Sequence, residues 1–238
     1  MTSSSISRRC CAIWNRKRPP SYTSCPAPGA WLEQFEKADR TFAITISSQL
    51  FGSMNSALTA RDLALEADPD KKIAVLDSRS TGPELVLCVR EIERLAREGV
   101  GFDEAVNRAN AFLDKTKVIF ALSSFDNLIK NGRMHKMAGF LAKALGMRGI
   151  GSASDEGRIV VEGKTRSPKR TVRTLVECMR ERGFAGGNVA ISHCDNHAVA
   201  QALKEGILNA WEDSWIEILP TRGLCSYYAE RGGLIVGF

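Results

Sequence analysis

The stretch Thr41–Ala57, TFAITISSQLFGSMNSA, constrains the fold more than any other part of the chain. Phe42, Ile44 and Ile46 alternate with Ala43, Thr45 and Ser47, and the run is rich in β-branched residues. That pattern predicts a buried strand of about six residues. Polar Ser47, Ser48 and Gln49 follow, and Gly52 breaks the run. Met54, Ala57, Leu58 and Leu65 then recur at helix spacing. Such a junction has two readings. The free N–H groups of the first helical turn, with the hydroxyls of Ser47, Ser48 and Ser53, form an anion site. Alternatively, Ser53 is only an N-cap and Gly52 only permits a tight turn.

The alternation continues downstream. Ile73–Leu76 is a second apolar run, and helices are predicted over Glu84–Arg97 and Phe102–Asp114. The first of these would bury Leu85, Val89, Ile92 and Ala96; the second Val106, Ala109 and Leu113. Strands alternating with helices indicate parallel β-α-β units. Beyond Lys117 the order changes. Val118–Leu122 is a strand, Phe125–Lys130 a short helix, and His135–Leu145 a further helix. Ile150–Ser152 and Arg158–Lys164 flank a turn at Asp155-Glu156-Gly157. Pro168 opens a helix with Val172, Leu175, Val176 and Met179 as its stripe. Strands at Asn188–Ser192, Trp215–Leu219 and Gly232–Gly237 complete the series, with a helix at Asn196–Asn209. The expected division is 23–115 and 116–238, since hairpin and crossover elements mix only in the second part.

The net charge is +6, but residues 1–32 hold five cations and no acid, leaving +1 for the remainder. A nearly neutral body carries no broad phosphate-binding footprint, so nucleic acid is not an expected partner. No apolar run reaches the roughly 20 residues of a membrane helix. The seven cysteines are odd in number and form no CxxC pair, which suits small core residues in a reducing cytoplasm. His193 and His197 stand four apart, yet no matching ligand set accompanies them, and neither a metal nor a cofactor is expected. Residues 1–22, Ser-rich and then Arg-rich, read as a disordered or non-native leader.

Polar clusters recur at element junctions: Thr23-Ser24, Ser47-Ser48, Gly52-Ser53, Asp77–Ser80, Asn131–Arg133, Lys164–Arg170 and Ser226–Tyr228. Together they suggest a cleft that takes a polar head, with apolar walls behind it. The glycine-rich phosphate motifs are absent, and no nucleophile–base pair is visible.

TSCPAP, ITISSQLFGSMNSA, DSRS, LIKNGRM, GKTRSPKR and ISHCDN, in this order, resemble the DegV family of bacterial fatty-acid-binding proteins. The likeness runs from Thr23 to Phe238. It implies two α/β domains: the first a parallel sheet with helices on both faces, incomplete here, the second a mixed sheet with helices on one face. It further implies a long-chain fatty acid held between the domains. The protein would act as a non-catalytic carrier that presents the acid to a fatty-acid kinase. The family's head-group Thr falls on Thr23. Its hydroxyl donor in the second loop falls on Phe51, so Ser48 or Ser53 would substitute, and Phe51→Ser would strengthen binding. The ending SYYAERGGLIVGF resembles the branch with an aromatic residue near Tyr228. The implied ligand-binding set is Thr23, Ser24, Ser48, Phe51, Gly52, Ser53, Arg166 and Tyr228.

Family members begin with a strand and further elements ahead of the TSCP loop, for which residues 1–22 have no counterpart. A chain truncated at its N-terminus is therefore expected. Two other readings are a phosphoryl-transfer enzyme that uses Lys164–Arg170 on phosphate, and an inactive remnant.

Overall fold

The computed structural model describes residues 22–134 and 147–238, so the helix expected at His135–Leu145 lies outside the described residues. The chain opens with α1 (Pro28–Phe35), β1 (Arg40–Thr45), α2 (Ser53–Ala67) and β2 (Lys72–Asp77). α3 (Pro83–Arg97) and α4 (Phe102–Lys115) follow. β1 and β2 pair in parallel from Arg40↔Lys72 to Thr45↔Asp77, and among the described residues their sheet has these two strands. Helices cover both faces. Phe35 of α1 and Ala60 and Ala64 of α2 pack with Ala43 and Ile73 on one side. Cys88 of α3 and Ala109 and Leu113 of α4 pack with Ala74 and Leu76 on the other.

Two helix faces differ from expectation. In α2 the buried stripe is small: Ser53, Ser56, Ala57, Ala60 and Ala64, spaced at three and four residues. Small side chains let the helix lie close to the sheet, and Leu58 and Leu65 are only half-buried. In α3 the buried residues are Pro83, Glu84, Leu87, Cys88 and Leu95, whereas Val89 is 45% exposed. The buried carboxylate misled the pattern, because periodicity assigns charges to the solvent face.

The second part is built on β3 (Val118–Leu122), α5 (Asp126–Lys130), β4 (Arg148–Ala153), β5 (Ile159–Thr165) and α6 (Pro168–Glu181). It continues with β6 (Asn188–His193), α7 (His197–Ala210), β7 (Trp215–Pro220), α8 (Gly223–Ala229) and β8 (Leu234–Gly237). The six strands run β5-β4-β3-β8-β6-β7. Only β6 and β7 are parallel; the other neighbours are antiparallel.

Successive residues of a strand face opposite sides of the sheet. Ile119, Ala121, Val189, Ile191, Leu234 and Val236 therefore face the long helices α6 and α7 and pack with Leu175, Met179, Leu203 and Ile207. Val118, Phe120, Leu122 and Ile235 face the other way, where they meet α5, α8 and Phe51 from the β1–α2 loop.

Helix α8 was not visible in the sequence, which placed Ser226, Tyr227 and Tyr228 in a loop before the last strand. All three are buried on this seven-residue helix, so no polar face marks it. The last strand accordingly starts at Leu234, two residues later than expected.

Candidate functional site

The face of the second sheet opposite α6 and α7 bounds an apolar chamber of about 80 Å³. Its floor is Phe120 and Leu122 of β3, Ile159 of β5 and Ile235 of β8. Leu128 of α5 and Leu224, Cys225, Tyr228 and Ala229 of α8 form one wall. Leu50, Phe51 and Thr81, from the loops after β1 and β2, form the other. The cavity thus lies where the two sheets' connecting loops meet. Among the described residues, no charged side chain lines it. The thiol of Cys225 lies 3.4 Å from the hydroxyl of Thr81, and burial pushes that thiol up. The loop polar atoms are therefore paired with each other, which keeps the lining oily.

At one wall stands a hydroxyl pair. Thr23 Oγ1 lies 2.9 Å from the phenol oxygen of Tyr228. The ring of Tyr228 faces the chamber, and its tip reaches the Thr23 loop. That loop is anchored to α2: Ser56 Oγ donates to the carbonyl of Pro26 at 2.5 Å. A Cβ on Gly52 would come within 3.3 Å of Cys25 Sγ. The TSCP loop therefore rests on the start of α2.

Phe51 stacks on Tyr228 with ring centroids 5.6 Å apart and a tilt of 59°. The Arg133 guanidinium sits over the ring of Phe51, 4.5 Å from its centroid, and donates to the carbonyl of Leu50. Arg133 Nε is buried with no hydrogen-bond partner among the described residues. Sequence reasoning placed Arg133 in a polar cluster but not in the ligand set. The signal was the LIKNGRM motif; the contact with Leu50 spans 83 positions and is not readable from local pattern.

Part of the expected anion site after β1 is engaged by the protein itself. Ser47 Oγ donates to the carbonyl of Gly157 at 2.7 Å, on the turn between β4 and β5, and accepts from the N–H of Gln49. The backbone N–H of Ser48 donates to Asp77. Gly157 holds φ at +88°, and a Cβ there would lie 2.7 Å from the carbonyl oxygen of Arg79, so only glycine fits this docked turn.

Of the other expected residues, Ser53 is buried at the start of α2 and Gly52 is its N-cap. Ser24 and Arg166 are exposed and line no part of the chamber, as is the cluster Lys164, Lys169 and Arg170. The His193 and His197 rings stand 5.4 Å apart, and among the described residues no cluster of metal-ligating side chains occurs.

A second, polar cleft of about 310 Å³ opens near the connection between α4 and β3. It is larger, but its two cations are committed. Arg79 pairs with Asp114 at 2.6 Å and Lys117 with Asp155 at 3.0 Å. Its buried Glu84 accepts from Thr116 Oγ1 at 2.6 Å, and burial raises the Glu84 carboxyl above its ordinary range. The apolar chamber, with a hydroxyl pair at its edge, is the stronger candidate.

The family model described as "Uncharacterised protein, DegV family" matches residues 7–238. The chain belongs to the DegV family. A DegV domain-containing protein of Streptococcus pyogenes serotype M1 is 40% identical over 216 residues, covering 91% of this chain and 77% of that one. Two solved DegV structures are also similar. The fatty acid kinase (Fak) B3 protein of Streptococcus pneumoniae, loaded with linoleic acid, is 38% identical with a TM-score of 0.94. The match covers 98% of this chain and 83% of that one. A DegV family protein of Eubacterium eligens, loaded with heptadecanoic acid, is 36% identical with a TM-score of 0.93 over 97% of this chain and 83% of its own.

Proposed function

We propose that this DegV chain binds a long-chain fatty acid with its tail in the apolar chamber and its carboxylate at the Thr23–Tyr228 hydroxyl pair. The observation that carries this reading is the 2.9 Å contact between those hydroxyls at the edge of an uncharged cavity. Two hydroxyls can each turn a proton toward a carboxylate, and the tail contributes by burial. The chamber, at about 80 Å³, is smaller than the roughly 300–1,000 Å³ usual for ligand sites. Loading therefore requires the chamber to widen. Arg133 lies against the Leu50–Phe51 wall.

The protein acts as a carrier rather than a catalyst and hands the acid to a fatty-acid kinase. The similarity to a solved fatty acid kinase B-type protein supports this role. Titration with palmitate and oleate tests the reading. Saturable binding that Tyr228→Phe and Thr23→Val both weaken is expected. Wild-type protein that binds neither acid contradicts it. The exposed cations Lys164, Arg166, Lys169 and Arg170 line neither the apolar chamber nor the polar cleft, which gives the phosphoryl-transfer alternative no support.

A further inference from the structure

Phe120 is the bulkiest residue on the chamber floor, and one glycine holds it in place. Phe120 of β3 lies directly opposite Gly151 of β4. Residues opposed in this way share a face of the sheet, with Cβ atoms about 4.5–5.5 Å apart. Gly151 has no Cβ, and the ring uses that space. A Cβ built on Gly151 would lie 2.6 Å from both Cε2 and Cζ of Phe120. These are atoms at the far end of the ring, so Phe120 lies flat along the sheet over β4. It does not stand upright into the cavity.

The same Cβ would also collide with the carbonyl of Val160 on β5, where the β4–β5 register shifts between Ile150 and Gly151. On its other side Phe120 meets the edge of Phe125, with centroids 6.2 Å apart and planes at 70°. Phe125 is buried but does not line the chamber.

We infer that Phe120, laid over Gly151, sets the length of acyl chain the chamber accepts. This rests on the fatty-acid reading above. The ring fills the space over Gly151 on the chamber floor, so its removal frees that space however far the walls widen on loading. The aliphatic floor residues Leu122, Ile159 and Ile235 offer smaller changes. Apolar pockets discriminate single methylenes by roughly 10–200-fold, so a change of one ring suffices to move the preferred length.

The test is a binding profile for laurate, myristate, palmitate, stearate and arachidate. It compares wild type with Phe120→Leu, Phe120→Ala, Phe120→Trp and Phe125→Leu. The arachidate-to-laurate affinity ratio should rise roughly tenfold or more in Phe120→Ala, and in the same direction in Phe120→Leu. It should fall in Phe120→Trp. Phe125→Leu should lower the melting temperature with the ratio unchanged, which separates chamber depth from general loosening. Phe120 variants that fold and keep the wild-type ratio overturn the inference and leave the fatty-acid reading standing. Wild-type protein that binds none of the acids overturns both.

Discussion

The hydroxyl of Thr23 and the phenol of Tyr228 meet at 2.9 Å although 205 positions separate them in the chain. One belongs to a loop anchored on α2, the other to α8, so the contact forms only when both parts of the molecule are folded and docked. A hydroxyl bonded to a charged group is typically worth about 1.5–3 kcal/mol. Thr23→Val and Tyr228→Phe should each weaken palmitate binding by roughly tenfold or more. Isothermal titration with both variants checks this. The double variant should lose less than the sum, because the two hydroxyls act on one head group.

Phe51→Ser should weaken fatty-acid binding and lower stability, contrary to the expectation from sequence. Phe51 is a wall: its ring contacts Tyr228 and carries the Arg133 guanidinium. Loss of that half-buried ring removes apolar contact and an aromatic pair, together about 1–2 kcal/mol. Thermal denaturation and oleate titration of the variant measure both effects. Tighter binding with an unchanged melting temperature would restore the donor reading.

Glu84→Gln should stabilise the protein at neutral pH. Burial raises the Glu84 carboxyl, opposed by the nearby Ser80 hydroxyl, the hydrogen bond from Thr116 and the charges of Lys117 and Arg79. A raised carboxyl favours the protonated form in the fold. Its contribution is therefore full below the unfolded value, about pH 4.3, and is lost as pH rises through the folded value. Glutamine keeps an acceptor for Thr116 without the charge. The gain in melting temperature should be present at pH 7 and vanish below about pH 4.3. A gain that persists in acid would place its origin elsewhere.

Hydrogen exchange should be faster in β1 and β2 than in β3 and β6. The first two strands form a two-stranded sheet among the described residues, whereas β3 and β6 are interior to six. Amides of strands with neighbours on both sides open only with larger units. β7 is an edge strand with exposed Trp215, so it should exchange faster than β6 despite lying in the larger sheet. Equal protection of β1 and β3 would argue against this ranking.

Much of the architecture was legible because hydrophobic period follows backbone geometry. β3 is Val118–Leu122 in both readings, and the buried stripe of α6 follows Leu175 and Met179. Ser167 caps α6 by accepting the N–H of Arg170, ahead of the Pro168 that the sequence placed at the helix start. What escaped were features without a local signature. α8 buries Ser226–Ala229, its whole second half, so its pattern has no polar face. Glu84 is a charge turned inward, against the rule that the rest of α3 obeys. At the site, Thr23 and Tyr228 came from family likeness rather than from spacing. The engagement of Ser47 with Gly157 joins residues 110 positions apart and was invisible to any window.

Native mass spectrometry of the protein purified from a bacterial host tests the central proposal most directly. The account predicts an excess mass equal to one fatty acid, absent from the denatured spectrum and depleted in Thr23→Val. A native spectrum at the mass of the bare chain, unchanged after incubation with palmitate or oleate, would contradict it.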